Sequence, residues 1–188
     1  GYNPADAPRQ YFELGELALE YGAVLRDAFL GCVVHGIPEP DGTNVILVTA
    51  SIGGDAHRLD CLIGPGRAFD PARHCVIAVD AIGNGWSISP SNSPGQPGME
   101  FPPFTIGDMV KSQHRLLTEH FGLEYVSAVA GASMGGMQAL EWGGRHPEMM
   151  DSLVTLAPFA RTPARTVALH QLSRIILVSY AAWQNGRL

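Results

Sequence analysis

The sequence predicts an α/β fold with a mostly parallel sheet, and three observations carry that prediction. Short β-branched runs recur at residues 44–50, 75–80, 126–130 and 152–157, the pattern of strands buried on both faces. Stretches with helical spacing lie between them, at 106–121 and at 134–146, where Pro147 stops the second. Such alternation implies right-handed crossovers, with sites at the carboxyl ends of the strands.

The elements follow in order. Residues 11–34 alternate weakly, with Phe12 and Leu14, then Leu17 and Leu19, then the apolar stretch 28–34, and read as strands. Residues 38–43 (Pro-Glu-Pro-Asp-Gly-Thr) are a turn by composition. The helix predicted over 106–121 carries Met109, Leu116, Leu117 and Phe121, with Asp108 near its start. Residues 83–103 are polar and rich in Gly, Ser and Pro, and a loop of that length is usually functional or mobile. From 162 onward Val167, Leu169, Leu172, Ile175 and Ile176 suggest a helix, and the sequence breaks off soon after, which predicts an incomplete chain.

Composition excludes several functions. Of the 188 residues 46% are hydrophobic and 16% charged, which suits a packed core and not a disordered chain. Twelve basic residues against 18 acidic ones give a net charge of −6 with no basic block, so neither nucleic acid nor an anionic membrane is an expected partner. Cys32, Cys61 and Cys75 are scattered without metal-type pairing, which predicts a reducing, cytoplasmic setting and no metal. Walker and Rossmann fingerprints are absent, so no bound cofactor is expected.

The sharpest signal is Val129-Ala130-Gly131-Ala132-Ser133-Met134-Gly135-Gly136, a strand, then Gly-x-Ser-x-Gly, then a helix. This context defines a nucleophile elbow. A turn this tight strains the serine backbone, and glycines at 131 and 135 avoid Cβ clashes. Ser133 is the candidate nucleophile. The Met134 backbone N–H, at the helix N-terminus, is a candidate oxyanion donor. A second donor is expected from the loop after an earlier strand. Ser51, in Thr49-Ala50-Ser51-Ile52-Gly53-Gly54, holds that position, with Ile52 the next choice.

A serine nucleophile needs a base, and the base an orienting carboxylate, in chain order Ser, Asp or Glu, His. Only His146 and His170 follow Ser133, and no acidic residue follows Asp151. His146 ends the elbow helix and His170 lacks an acidic neighbour, so the general base and its Asp are expected outside this chain. Arg161, Arg174 and Trp86 are candidate substrate contacts. Asp55 and His57 make a tempting acid–base pair, but their chain order is wrong for this role.

The run Gly131 to Trp142 (Gly-Ala-Ser-Met-Gly-Gly-Met-Gln-Ala-Leu-Glu-Trp) resembles the elbow of the homoserine O-acetyltransferase family, within the α/β-hydrolase superfamily. Residues 63–70 (Ile-Gly-Pro-Gly-Arg-Ala-Phe-Asp), Phe101-Pro102, Thr105-Ile106 with Asp108-Met109-Val110, and Ala160-Arg161 agree as well. The resemblance implies an α/β-hydrolase fold, incomplete on its C-terminal side: residues 1–161 are core and 162–188 begin a helical lid. It implies that Ser133 takes an acetyl group from acetyl-CoA and passes it to an alcohol such as homoserine. It implies a homo-oligomer, with Asp and His supplied by a missing C-terminal half or a second polypeptide. Trp183-Gln184-Asn185-Gly186 is similar to a Trp-x-x-Gly segment of the lid.

Departures from the pattern are informative. The loop Gly83-Asn84-Gly85-Trp86-Ser87-Ile88-Ser89-Pro90-Ser91-Asn92-Ser93 replaces a Gly-Ser-Thr-Gly-Pro run and is closer to esterase-like members. His170-Gln171-Leu172-Ser173-Arg174 replaces an Asn-Glu-x-x-Arg pattern, and Ser51-Ile52-Gly53 replaces Leu-Thr-Gly. An ester hydrolase is therefore the alternative to an acetyltransferase, and an inactive fragment or binding module a third reading.

Overall fold

The computed structural model describes residues 2–180, 182 and 183. Six strands, β1 (Arg9–Ala18), β2 (Val24–His35), β3 (Val45–Thr49), β4 (Cys75–Val79), β5 (Val126–Ala132) and β6 (Met150–Leu156), form one sheet in the order β1-β2-β4-β3-β5-β6. β1 and β2 form an antiparallel hairpin and β2 meets β4 antiparallel, while β4, β3, β5 and β6 are mutually parallel. The described residues also form three α-helices, α1 (Ile106–Arg115), α2 (Met134–Arg145) and α3 (Ala164–Ser179). The predicted mostly parallel α/β architecture is what the chain adopts.

Each element has a local cause. Every residue of β3 and β4 is buried, as their unbroken apolar runs require. The weak alternation of residues 11–34 reflects register shifts in β1 between Glu13 and Gly15 and between Gly15 and Leu17. A capping box opens α1: Thr105 Oγ1 accepts from Asp108 N, and Asp108 Oδ2 accepts from Thr105 N. The single helix expected over 106–121 is two pieces, because Leu116–His120 form a π turn that Phe121 N closes onto Leu116 O.

The core has two faces. Leu47, Ile77 and Val129 pack with Leu116, Leu117 and Trp142 beneath α1 and α2. Ile46, Val48 and Val76 pack on the opposite face with Leu59, Ile63 and Phe69, residues of the β3–β4 connection. The 83–103 loop is anchored: Ile88 is fully buried and its N–H donates to Phe29 O in β2. At the far side β6 pairs only with β5, and Leu153, Val154 and Leu156 are exposed. No residue of α3 is buried. The unpaired edge expected after the 152–157 strand is thus present among the described residues. Most of Trp183-Gln184-Asn185-Gly186 lies outside them.

An ion pair fastens β1 to the end of β4. Arg9 Nε donates to Asp80 Oδ2 at 2.7 Å, and a second guanidinium nitrogen lies 3.1 Å from Asp55 Oδ2. Asp80 is fully buried, and its Oδ1 accepts from Ala56 N and Asn84 Nδ2. Removing one member of such a pair leaves an uncompensated buried charge. Arg9→Met is expected to destabilise the protein by about 3 kcal/mol, measured by chemical denaturation against wild type.

Candidate active site

Ser133 sits between β5 and α2 with φ 53° and ψ −120°, a left-handed conformation uncommon for any residue with a side chain. Its surroundings impose that geometry. Ser133 N donates to Leu156 O at 2.8 Å, and its carbonyl accepts from Met137 N at 3.0 Å. Both backbone groups are fixed, and the side chain is exposed above the sheet.

The glycines on either side permit a backbone approach that no other residue would. A Cβ on Gly131 would lie 2.3 Å from the Gly135 carbonyl carbon and 2.4 Å from Thr49 Oγ1. One on Gly135 would lie 2.3 Å from Thr49 O. Thr49 Oγ1 reaches Gly135 O at 2.8 Å and Ala130 O at 3.2 Å, so its hydroxyl bridges the end of β3 to both sides of the turn.

The β3 loop arrives at the same place. Ser51 is buried, and its Oγ donates to Ala132 O at 2.5 Å, one residue before Ser133. Ser51 and Met134 line one cavity of about 220 Å³ with Ile52, Gly83, Phe104 and Met109. As the first residue of α2, Met134 has an N–H without an intrahelical acceptor. Among the described residues, no hydrogen bond engages the N–H of Met134, Ser51 or Ile52. The structure therefore brings together Ser133, Met134 and Ser51, the three residues that the sequence singled out.

Two further cavities adjoin. One of about 500 Å³ is lined by Gly53, Gly54, Asp55, Gly83, Asn84 and Trp86. The face of the Trp86 ring is taken by Arg9, whose guanidinium carbon lies 3.9 Å from the ring centroid. The other, about 430 Å³, runs from Ile52 to His170, Arg174 and Trp183. Arg161 is exposed and lines none of these cavities. Of the two candidate arginines, Arg174 is the one facing a cavity that touches the β3 loop.

The histidines sort as their sequence positions suggest. His146 caps the far end of α2, about 20 Å from Ser133 at 1.5 Å per residue, and stacks on His114 with centroids 4.4 Å apart. Burial and the neighbouring His114 depress its basicity. His170 has no carboxylate partner among the described residues. His57 bonds to Asp60, at 3.0 Å from Nδ1, and Asp55 instead faces Arg9. Two of the three cysteines are muted as nucleophiles: burial pushes the Cys32 thiol up to about 12 and Cys75 to about 11, while Cys61 is exposed. No group of three metal-ligating side chains converges among the described residues. No described helix is long and apolar enough to cross a membrane.

Two features escaped the sequence. The Arg9–Asp80 pair joins residues 71 positions apart, and its one trace was an acid ending an apolar strand run. A buried amide chain through Gln113 and Gln138 left no trace beyond two polar residues on apolar helix faces. The elbow itself is testable: Gly131→Ala would force a Cβ into the Gly135 backbone. We expect loss of at least 3 kcal/mol of stability or failure to fold, read by thermal unfolding of the complete protein.

Comparison with known proteins agrees with this geometry. The profile of the alpha/beta hydrolase fold matches residues 32–188. An ethyl acetate hydrolase from Pseudomonas veronii is 36% identical over 181 residues, covering 95% of this chain and 52% of that protein. A homoserine O-acetyltransferase from Moorella thermoacetica is 35% identical over 190 residues, covering 90% and 50%. The structure of an acetylester hydrolase from Corynebacterium glutamicum superposes with a TM-score of 0.91 at 31% identity, covering 96% of this chain and 52% of that one. The chain spans about half the length of the curated relatives it matches. With its elbow, sheet order and profile match in agreement, the chain belongs to the α/β-hydrolase fold family.

Proposed function

We propose that the protein transfers a short acyl group, acetyl in the first instance, through an ester on Ser133. The carrying observation is Ser133 itself: exposed, at φ 53°, with the free Met134 N–H beside it and Ser51 lining the same cavity. In the first step Ser133 Oγ attacks the acyl carbonyl and loses its proton to a base, and the donor's alcohol or thiol departs with a proton. In the second step an acceptor hydroxyl attacks the acyl-serine and Ser133 regains its proton. Negative charge appears on the former carbonyl oxygen in both steps. The N–H groups of Met134 and Ser51 stabilise it there without reorganising.

The base and its carboxylate come from the part of the protein outside these residues. Support comes from the exposed edge of β6, an α3 with no buried residue and the twofold greater length of the relatives. On this reading residues 1–161 belong to the core and 162–188 begin a lid.

Two acceptors fit. An acetyltransferase would use acetyl-CoA and an alcohol such as homoserine, and an esterase would use an acetyl ester and water. The loop from Gly83 favours the esterase. Its esterase-like sequence is a built element: Asn84 Oδ1 accepts from Trp86 N and Ser87 N, and Asn92 Nδ2 donates to Gly85 O and Ser87 O. Gly83 and Asn84 of that loop line the same cavity as Ser51 and Met134.

The complete protein should therefore hydrolyse p-nitrophenyl acetate without added alcohol. Turnover only with acetyl-CoA and homoserine together would instead establish the transferase. In either assay Ser133→Ala is expected to lower kcat by at least about 10³-fold while thermal unfolding is unchanged. Activity retained within tenfold of wild type would remove Ser133 from the nucleophile's role.

A further inference from the structure

Behind the site runs a chain of three buried side chains. Trp142 Nε1 donates to Gln113 Oε1 at 2.8 Å, Gln113 Nε2 donates to Gln138 Oε1 at 2.6 Å, and Gln138 Nε2 donates to Ala50 O at 2.8 Å. Trp142 and Gln138 are fully buried, and Gln113 is 1% exposed. The ends dictate the polarity of the whole chain. An indole N–H can only donate, so Gln113 presents its oxygen to Trp142 and its NH2 to Gln138. A carbonyl can only accept, so Gln138 turns its NH2 to Ala50. Neither amide can flip without placing two like groups together, at a cost of buried unsatisfied atoms.

We propose that Gln138 is a positioning residue that sets the direction of the Ser51 N–H, through its hold on the Ala50 carbonyl. The reason is the planarity of the peptide. In a trans peptide the C=O of residue 50 and the N–H of residue 51 point in opposite directions. Gln138 approaches Ala50 O from the second turn of α2, so the Ser51 N–H is turned away from the Gln138 amide. The Ser51 Oγ bond to Ala132 O then fixes the same residue against the strand that carries Ser133. Without Gln138, Ala50 O would be buried with no donor, since Ala50 is 2% exposed. Rotation of the 50–51 peptide would relieve that defect and would carry the Ser51 N–H out of alignment.

This inference rests on Ser51 N–H being an oxyanion donor, and its test separates the two. In the complete protein, Gln138→Met keeps the side-chain volume and removes the donor. It should lower kcat by about 10²-fold with KM within about twofold. The affinity for a boronic acid, a mimic of the tetrahedral intermediate, should fall by a similar factor. Gln138→Glu provides a second measurement should Gln138→Met fail to fold. A protonated carboxyl can donate to Ala50 O and an ionised one cannot, so this variant's kcat relative to wild type should rise as pH falls. Unchanged kcat and boronate affinity in folded Gln138→Met, or a Gln138→Glu profile parallel to wild type, would overturn the proposal. Labelling of Ser133 by a fluorophosphonate in wild-type protein reports on the nucleophile independently. If that labelling fails, the reading of Ser133 falls; if it succeeds while the Gln138 variants are silent, only the positioning role does.

Discussion

Everything at the candidate site depends on how closely the β5–α2 turn approaches the end of β3. β3 and β5 are parallel neighbours, with Thr49 opposite Gly131 in register. That pairing brings two chain reversals to one edge of the sheet: the loop beginning at Ala50 and the turn at Ser133. Glycines at 131 and 135 let the two backbones touch, and Thr49 and Ser51 hydroxyls bridge them. A strained serine is tolerated because its N–H and C=O are both held by neighbours with no freedom to move.

The same closeness explains why the polar groups around the turn are buried and yet satisfied. Ala50 O, Gly135 O and Ala130 O lie in buried hydrogen bonds and Ala132 O in a part-buried one, and side chains from β3, its loop and α2 meet each of them. Asp80 serves a second reversal in the same way. Its two oxygens hold Ala56 N in the loop from β3, Asn84 in the loop from β4, and Arg9 in β1. The crevice walls are thus tied to fully buried anchors, which suits a site whose donors must be in place before charge develops.

What the sequence made legible follows from range. β3, β4 and the Gly-x-Ser-x-Gly turn are local: five consecutive buried residues, or a motif of five, state their own geometry. The pairing of Ser51 with Met134 was readable because a turn after a parallel strand must open on the same side as its neighbour's. The Arg9–Asp80 pair and the Trp142–Gln113–Gln138 chain were not readable, because each is defined by partners brought together only in three dimensions. A glutamine on an apolar helix face does not name, in sequence, the partners that satisfy it. The π turn at Leu116–His120 was missed for a related reason: periodicity over 16 residues cannot resolve one extra residue per turn.

On the proposed function, the choice between water and an alcohol as acceptor is a question about cover, and not about Ser133. An acyl-serine held by two N–H donors is attacked by whichever hydroxyl reaches it in line. On that reading, the cavity next to Ile52 would decide which one does, since it lies between the β3 loop and α3, whose Leu169, Leu172, Ile175 and Ile176 are all exposed. A helix apolar on so much of its surface is a packing surface. On the same reading, a segment packed on α3 would also set the depth and dryness of that cavity. On the proposed function, the nucleophile and its oxyanion donors are the invariant part of the chemistry, built into β3, β5 and α2. Acceptor selection belongs to a separate structural layer, beginning at α3, which can change without disturbing them.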